Sequence, residues 1–159
     1  MDGNLVAQES CPDLPALPVA LTRPIRATAS TPRPRGGYLV MLTTGAADGG
    51  QRATLAFAWA CAASTLEIDS RVFLIGDGSY WAYAGHPDPV AIHGFPRLAE
   101  LMQDFTDLGG TIYLCSSCDR ICSAPPADDP GGWQRRPDVQ TLGLTAVISQ
   151  AIGRATVTF

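Results

Sequence analysis

The chain has 159 residues, of which 46% are hydrophobic and 16% are charged, and its formal net charge is −4. This composition supports one domain with a buried core, and the acidic balance argues against a nucleic-acid partner. No stretch approaches the roughly 20 apolar residues that cross a bilayer, so we expect no membrane segment. Three prolines in residues 12–18 interrupt any apolar signal region, which leaves a cytoplasmic location as the expectation.

Residues 1–37 contain six prolines and no apolar periodicity. Such a segment buries too little surface to offset its ordering entropy, so it is predicted to be a flexible or partly docked extension. Cys11 lies in it and is expected to be an incidental thiol. The folded domain is expected to span residues 38–159.

Apolar runs of strand length alternate with helical patterns through this domain. In chain order the sequence predicts a strand at 38–42, a helix at 52–64, a strand at 71–76, a helix at 94–110, a strand at 111–115, a short strand at 139–142, a helix at 144–153 and a strand at 155–159. Pro96 suits the first turn of the second helix, and Gly109 suits its end. Strand runs without polar alternation are typical of sheets covered on both faces. The predicted fold is therefore α/β, a three-layer α/β/α sandwich around a mostly parallel five-stranded sheet.

Two of the predicted helices have a distinctive arrangement of apolar residues. The helix at 52–64 has Leu55, Phe57, Trp59 and Cys61 around most of its circumference. Either self-association or the N-terminal extension could cover its second face, and Cys61 is expected to be a core cysteine. In the last helix, five apolar residues fall on one face: Leu144, Val147, Ile148, Ala151 and Ile152.

The loops that follow the strands lack the familiar cofactor and catalytic motifs. They contain no G-x-G-x-x-G, no G-x-S-x-G and no H-E-x-x-H, and the absence of lysine excludes a phosphate-binding P-loop. No organic cofactor is therefore predicted. In "GDGSYWAYAG" (76–85), Asp77 and Gly78 indicate a tight turn, with a supporting role in a site as the functional alternative. The aromatic residues after them could wall a pocket or simply pack the loop down, and His86 and His93 are read as ordinary loop histidines.

Three cysteines cluster in "CSSCDRIC" (115–122), directly after the third predicted strand. Ser116 or Ser117 could cap a following helix, which would place the Cys115 sulfur at the carboxyl edge of the sheet near free backbone N–H groups. Those surroundings lower a thiol pKa, and Arg120 could add to the effect. Cys115 is therefore a candidate nucleophile, with a buried structural cysteine as the alternative.

Cys118 completes a Cys-x-x-Cys arrangement with Cys115, in which the second thiol can attack a mixed disulfide on the first. Cys122 follows one helical turn later. Three sulfurs from one short segment lack a fourth ligand at the usual spacing, so no metal is predicted.

The pattern resembles the DsrE/DsrF-like family of sulfur-relay proteins over residues 38–159. The resemblance is carried by "VFLIGDGSYWAYAG", by "LAELMQDFTDLGGTIYLCSSC" and by the closing "GLTAVISQAIGRATVTF". It implies a homo-oligomer or hetero-oligomer, often a ring of three or six, and a persulfide on the cysteine that ends the strand, here Cys115. The extension at 1–37 and the "APPADDPGGWQRRP" insertion at 124–137 depart from the family pattern, as do the additional thiols of Cys118 and Cys122.

Three functional hypotheses follow. The first is a sulfurtransferase-like persulfide carrier, in which Cys115 takes sulfur from a donor protein and passes it to an acceptor protein while Cys118 acts as a resolving thiol. The second is a thiol–disulfide redox protein that uses Cys115 and Cys118. The third is an oligomeric binding or scaffold protein of the same fold with inert cysteines.

Overall fold

The computed structural model describes residues 36–122 and 133–159, with side chains described within 36–119 and 133–159. Five strands form one sheet: β1 Tyr38–Leu42, β2 Ser70–Leu74, β3 Thr111–Cys115, β4 Val139–Leu142 and β5 Ala155–Thr158. Four α-helices connect them: α1 Gln51–Thr65, α2 Leu98–Asp107, α3 Ser116–Cys122 and α4 Leu144–Ala151. Single 3-10 segments, Ala46–Asp48 and Gly76–Ala82, follow β1 and β2.

The strand order is β4-β3-β2-β1-β5, and all four pairings are parallel. β1 to β4 step outward in one direction, and the chain then returns across the sheet to place β5 beside β1. Right-handed crossovers in opposite directions put their helices on opposite faces of a sheet. The predicted α/β fold with a five-stranded parallel sheet and helices on both sides is confirmed.

The first face of the sheet packs against α1 and α2. Alternate strand residues point to this face, and they are fully buried with the inner side chains of both helices: Val40, Leu42, Val72, Leu74, Ile112 and Leu114 from the strands, and Phe57, Leu98, Met102 and Phe105 from the helices. Phe57 and Phe105 meet edge to face across the two helices, with ring centroids 6.1 Å apart. This cluster is the main core of the domain.

Helix α2 ends as its sequence predicts. Gly109 adopts a positive φ of 84°, and the Gly110 N–H donates to the Phe105 carbonyl at 2.9 Å, which is a left-handed helix termination. The start of the helix differs from the prediction. Pro96 lies before the N-cap residue Arg97 rather than in the first turn, and the Arg97 N–H donates to the Glu100 carboxylate at 3.1 Å.

The second face of the sheet has a thinner cover. Its buried cluster consists of Leu39, Phe73, Cys115 and Val147, and α4 supplies only the last of these. The apolar residues of α4 share a face as predicted, but Leu144, Ile148 and Ile152 are 52%, 65% and 75% exposed. The periodicity of α4 therefore predicted the helix correctly, while most of its large apolar side chains are exposed in the single chain.

Hydrogen bonds and ion pairs of charged side chains connect α4 to the amino end of the sheet. Arg71 of β2 contacts Gln150 of α4, and both Arg71 and Arg154 donate to the Asp69 carboxylate. Partial burial of Asp69 opposes ionisation, but the hydrogen bonds from Arg154 and Arg71 outweigh it and hold the pKa of this carboxyl below its usual range.

None of the helices within 36–122 and 133–159 has the length and apolar character that a bilayer crossing requires. The predicted extension at 1–37 lies outside the described residues, apart from Gly36 and Gly37.

Candidate functional site

A cleft opens at the carboxyl edge of the sheet, between the segments that follow β1 and β2. Its volume is about 320 Å³. The walls are formed by small residues of both segments and by two aromatic rings: Thr44, Gly45, Ala46, Ala47, Gly76, Asp77, Ser79, Tyr80 and Trp133. This is the edge at which open α/β sheets bind ligands.

Cys115 is the last residue of β3, as predicted, but its side chain is not open to solvent. Successive strand side chains alternate between faces, so Cys115 points to the second face, where it is 2% exposed beside Leu39, Phe73 and Val147. The expectation of a sulfur directly accessible at the sheet edge is therefore not met at Cys115. Nor does Ser116 or Ser117 cap the helix, because α3 begins at Ser116 itself.

Cys118 does not line the cleft itself but contacts Gly76, a residue of the cleft wall. It is partly buried against the second-face cluster that contains Cys115. Its sulfur accepts a hydrogen bond from the Gly76 N–H at 3.3 Å, and Gly76 also lines the cleft. A backbone N–H donates a stronger hydrogen bond to a charged acceptor than to a neutral one. The structure thus brings Cys115 and Cys118 into one cluster and places Cys118 on its outer side.

Asp77 and Gly78 lie in the 3-10 segment after β2 rather than in an isolated tight turn. Asp77 is exposed on the wall of the cleft. Gly78 is buried beneath the end of β1, where an added Cβ would lie 2.1 Å from the Leu42 carbonyl oxygen. Its N–H donates to the Thr43 carbonyl at 3.1 Å. Gly78 therefore supports the site by letting the two segments approach closely.

Helix α3 is held in place by a polar network that starts at Asp119. The Tyr83 hydroxyl donates to the Asp119 carboxylate at 3.1 Å, and Arg135 forms a salt bridge with the same carboxylate at 3.0 Å. Arg135 also donates to the Thr141 hydroxyl of β4 at 2.7 Å. The network fixes the helix that carries Cys118 against both β4 and the segment after β2.

Aromatic rings from distant parts of the chain form a second group behind the cleft. Tyr80 and His86 stack with centroids 4.0 Å apart, and Trp133 meets both rings edge-on. The His86 Nδ1 hydrogen-bonds the Tyr80 carbonyl at 2.8 Å, which accounts for this histidine as a structural residue. Tyr80 alone of the three loop aromatics walls the cleft, since Trp81 and Tyr83 are buried. Both predicted roles of these aromatics are therefore present.

Trp133 and Arg135 were missed by sequence reasoning. They follow a stretch rich in proline and glycine, and no periodic pattern marks them. Their segment pairs with residues 82–84, through the Ala84 N–H to the Gln134 carbonyl at 2.8 Å and the Arg136 N–H to the Ala82 carbonyl at 3.0 Å. A bulky tryptophan beside two arginines in an otherwise small-residue insertion was the available signal.

The remaining cysteines lie elsewhere. Cys61 packs partly buried between α1 and α2, and its thiol donates to the Leu101 carbonyl. Burial, together with the nearby Asp104 carboxylate, raises the pKa of Cys61 to about 11, which suits the predicted structural role. Cys11 lies outside the described residues, as do the side chains of Arg120 and Cys122, so the roles predicted for Arg120 and Cys122 remain predictions. Among the side chains that the structure does describe, no three histidine, cysteine or acidic residues converge as a metal site would require.

Comparison with known proteins identifies a matching family and similar solved structures. A family model described as "DsrE/DsrF-like family" matches residues 37–159. The crystal structure of the ychN protein from E. coli superposes with a TM-score of 0.57 at 19% sequence identity, covering 77% of this chain and 99% of that one. That likeness supports the fold alone. No curated protein matches the chain significantly.

Proposed function

Because the chain belongs to the DsrE/DsrF-like family, whose members are generally related to sulfur relay, we propose that it carries sulfane sulfur as a persulfide on its Cys115–Cys118 pair. The observation that carries this proposal is the position of the Cys118 sulfur. It accepts a hydrogen bond at 3.3 Å from the N–H of Gly76, which is a residue of the cleft wall. We assign to Cys118 the receiving role that the sequence suggested for Cys115, since Cys115 is buried and Cys118 is not.

The proposed reaction is an exchange between sulfurs. The Cys118 thiolate attacks the outer sulfur of a donor persulfide, R–S–SH, and a new S–S bond forms while the donor S–S bond breaks. Cys118 becomes Cys–S–SH, and the donor leaves as the thiolate R–S⁻, which takes a proton from water. An acceptor thiolate then removes the outer sulfur in the same way and regenerates the Cys118 thiolate. Neither step needs a metal or an organic cofactor.

Cys115 is proposed as the internal partner in this cycle. If its thiolate attacks the Cys118 sulfur that bears the persulfide, hydrosulfide leaves and a Cys115–Cys118 disulfide forms. That route releases sulfide when no acceptor is present, and a cellular dithiol would reduce the disulfide. In a reducing cytoplasm the pair would then return to two thiols.

The test is mass measurement of the reduced protein after incubation with a persulfide donor. We expect a gain of one sulfur that maps to Cys118 and is lost in Cys118→Ser. Cys115→Ser should still gain the sulfur and should hold it longer, because the internal attack is removed. Cys61→Ser is the matched control and should behave as the unmodified chain does. Absence of any gain would refute the carrier and would leave the scaffold hypothesis with inert cysteines.

A second candidate function, thiol–disulfide exchange, is favoured by the presence of both cysteines in one side-chain cluster. It predicts a reversible loss of two hydrogens on mild oxidation, mapped to Cys115 and Cys118, with no lasting persulfide. The same mass measurement separates the two functions, because a carrier gains one sulfur from the donor whereas a disulfide protein loses two hydrogens.

We also propose that the chain works as a homo-oligomer, a trimer or a hexamer, that meets donor and acceptor proteins. Two exposed apolar surfaces support this. One, on α1, contains Leu55 and Trp59 at 44% and 45% exposure, and the other is the α4 row of Leu144, Ile148 and Ile152. We assign the subunit contact to the α4 row, since its residues are more exposed and lie on the thinly covered face.

A further inference from the structure

The cleft at the carboxyl edge has the size of a small-molecule site rather than of a protein-docking surface. A protein donor needs only an accessible sulfur and a surface, whereas this cleft is concave and about 320 Å³ in volume. That value lies at the lower end of the range for ligand pockets, about 300–1,000 Å³. The volume therefore suits a metabolite of modest size.

The residues that line the cleft indicate what such a metabolite would carry. Its floor is made of small residues, so there is room for atoms between the two segments. The rings of Tyr80 and Trp133 offer apolar surface for methylene groups and attract cations. Among the lining residues that the structure describes, Asp77 is the one that is charged, and it is acidic. Aromatic rings together with a carboxylate favour a ligand that bears an amine.

The same cleft adjoins the receiving sulfur. Gly76 contributes to its wall, and the N–H of that residue donates to the Cys118 sulfur at 3.3 Å. Gly76 therefore separates Cys118 from a ligand held between Asp77 and the aromatic rings. To reach the Cys118 thiolate, the outer sulfur of the ligand would extend past Gly76.

We propose that this cleft binds a low-molecular-weight persulfide that bears an amine, and that this molecule is a direct sulfur donor to Cys118. The inference rests on the proposed carrier function and names its donor class. Asp77 pairs with the amine, Tyr80 and Trp133 pack against the carbon chain, and the outer sulfur faces Cys118. The Cys118 thiolate attacks that outer sulfur, the donor S–S bond breaks, and the amine-bearing thiolate leaves, so that atoms and charge balance.

The experiment compares three donors on the reduced full chain. They are cysteamine persulfide, which bears an amine, 3-mercaptopropionate persulfide, which bears a carboxylate, and inorganic polysulfide, which has no organic part. Loading of Cys118 is followed by mass as a function of donor concentration. We expect saturable loading by the amine donor at lower concentration than by the acid donor.

Two variants sharpen the result. Asp77→Asn should raise the half-saturating concentration of the amine donor about two- to fivefold, as expected for an exposed ion pair, and should leave polysulfide loading unchanged. Ala47→Phe places a large ring on the wall of the cleft and should slow both organic donors but not polysulfide. Asp107→Asn, which removes an exposed carboxylate from α2, is the matched control and should change nothing.

The results distinguish failure of the proposed donor site from failure of the proposed carrier function. If polysulfide loads Cys118 while the organic donors load at equal rates, without saturation and regardless of Asp77 or Ala47, the cleft is not a donor site and the carrier function stands. If no donor loads Cys118, both proposals fall. A binding measurement without sulfur transfer gives an independent check: S-methylcysteamine should perturb the tryptophan fluorescence of the unmodified chain and bind more weakly to Asp77→Asn.

Discussion

The two faces of the sheet differ in how completely the helices that pack on them bury their apolar side chains. On the first face, α1 and α2 bury large side chains completely, with Phe57, Met102 and Phe105 at 0% exposure. On the second, α4 buries Val147 and leaves Ile148 and Ile152 mostly exposed. Among the described residues, helices therefore bury the first face completely, whereas the second face retains exposed apolar side chains on α4. Most of the fully buried side chains lie on the first side of the sheet, and the cysteine pair packs on the other.

The largest expected effect tests the claim that the first face holds the fold together. Phe105→Ala removes a fully buried ring that packs against Phe57, so it should lower the free energy of unfolding by about 3–5 kcal/mol. Urea denaturation of dilute protein measures this. Ile148→Ala on the second face should cost about 0.5 kcal/mol or less, because that side chain is already exposed. Equal costs at the two positions would abolish the distinction between the faces.

The Cys61 thiol should react about a hundredfold more slowly than an unperturbed thiol near neutral pH, because its pKa is raised from 9.0 to about 11. With a pKa of about 11, Cys61 is almost entirely protonated at pH 7.5, and only thiolate reacts with iodoacetamide. Cys118, with a backbone N–H directed at its sulfur, should alkylate far faster at that pH. The Cys61 rate should rise about tenfold for each pH unit up to its pKa. Peptide mapping at pH 7.5, 8.5 and 9.5 measures both rates, and comparable rates at pH 7.5 would contradict the assignment of Cys118.

A charged substitution among the exposed apolar residues of α4 tests whether a second subunit packs on the second face of the sheet. Ile148→Asp should weaken self-association roughly ten- to hundredfold, because an apolar contact is replaced by a buried charge. Light scattering across a dilution series measures this, while the urea midpoint of dilute protein should hardly move.

Trp59→Asp provides the matched control for this prediction. It places the same charge on the exposed apolar surface of α1, and it should leave association intact. Dissociation by Trp59→Asp with no effect of Ile148→Asp would move the subunit contact to α1, where the sequence pattern first suggested it.

The smallest expected effect concerns the ion pairs of Asp69 beside α4. Because the pKa of Asp69 is lowered in the folded state, its contribution to stability is present above its unfolded pKa of about 3.9 and is lost as the pH falls through the folded value. Asp69→Asn should therefore destabilise the protein at pH 7 by about 0.2–1 kcal/mol, a small value because the carboxylate is half exposed. At pH 2 to 3 the variant and the unmodified chain should converge. A difference that persists unchanged into acid would show that the carboxylate charge contributes nothing.

The strands were the most predictable part of the molecule. The limits of β1, β3 and β4 agree with the sequence, and the mostly apolar runs of β1 and β3 each begin directly after a glycine. Helix α4 shows the limit of prediction from apolar periodicity. Periodicity identifies which residues share a face, but it carries no information on whether anything covers that face.

The site was predicted in outline only. The sequence placed the cysteines at the end of β3, yet exposure depends on which face Cys115 points to and on what packs there. Both are tertiary properties that alternation along β3 does not reveal. Trp133 and Arg135 reach the site through the pairing of their segment with residues 82–84, a contact across about fifty positions of sequence.

The pairing of β5 with β1 has a consequence for how the sheet assembles. Tyr38 pairs with Ala155, so one edge of β1 stays open until a segment more than a hundred residues later arrives. Until then its backbone N–H and C=O groups can pair with any other extended chain, which makes the incomplete domain prone to aggregation. Loss of the last strand should thus turn β1, an interior strand of the complete sheet, into an open edge.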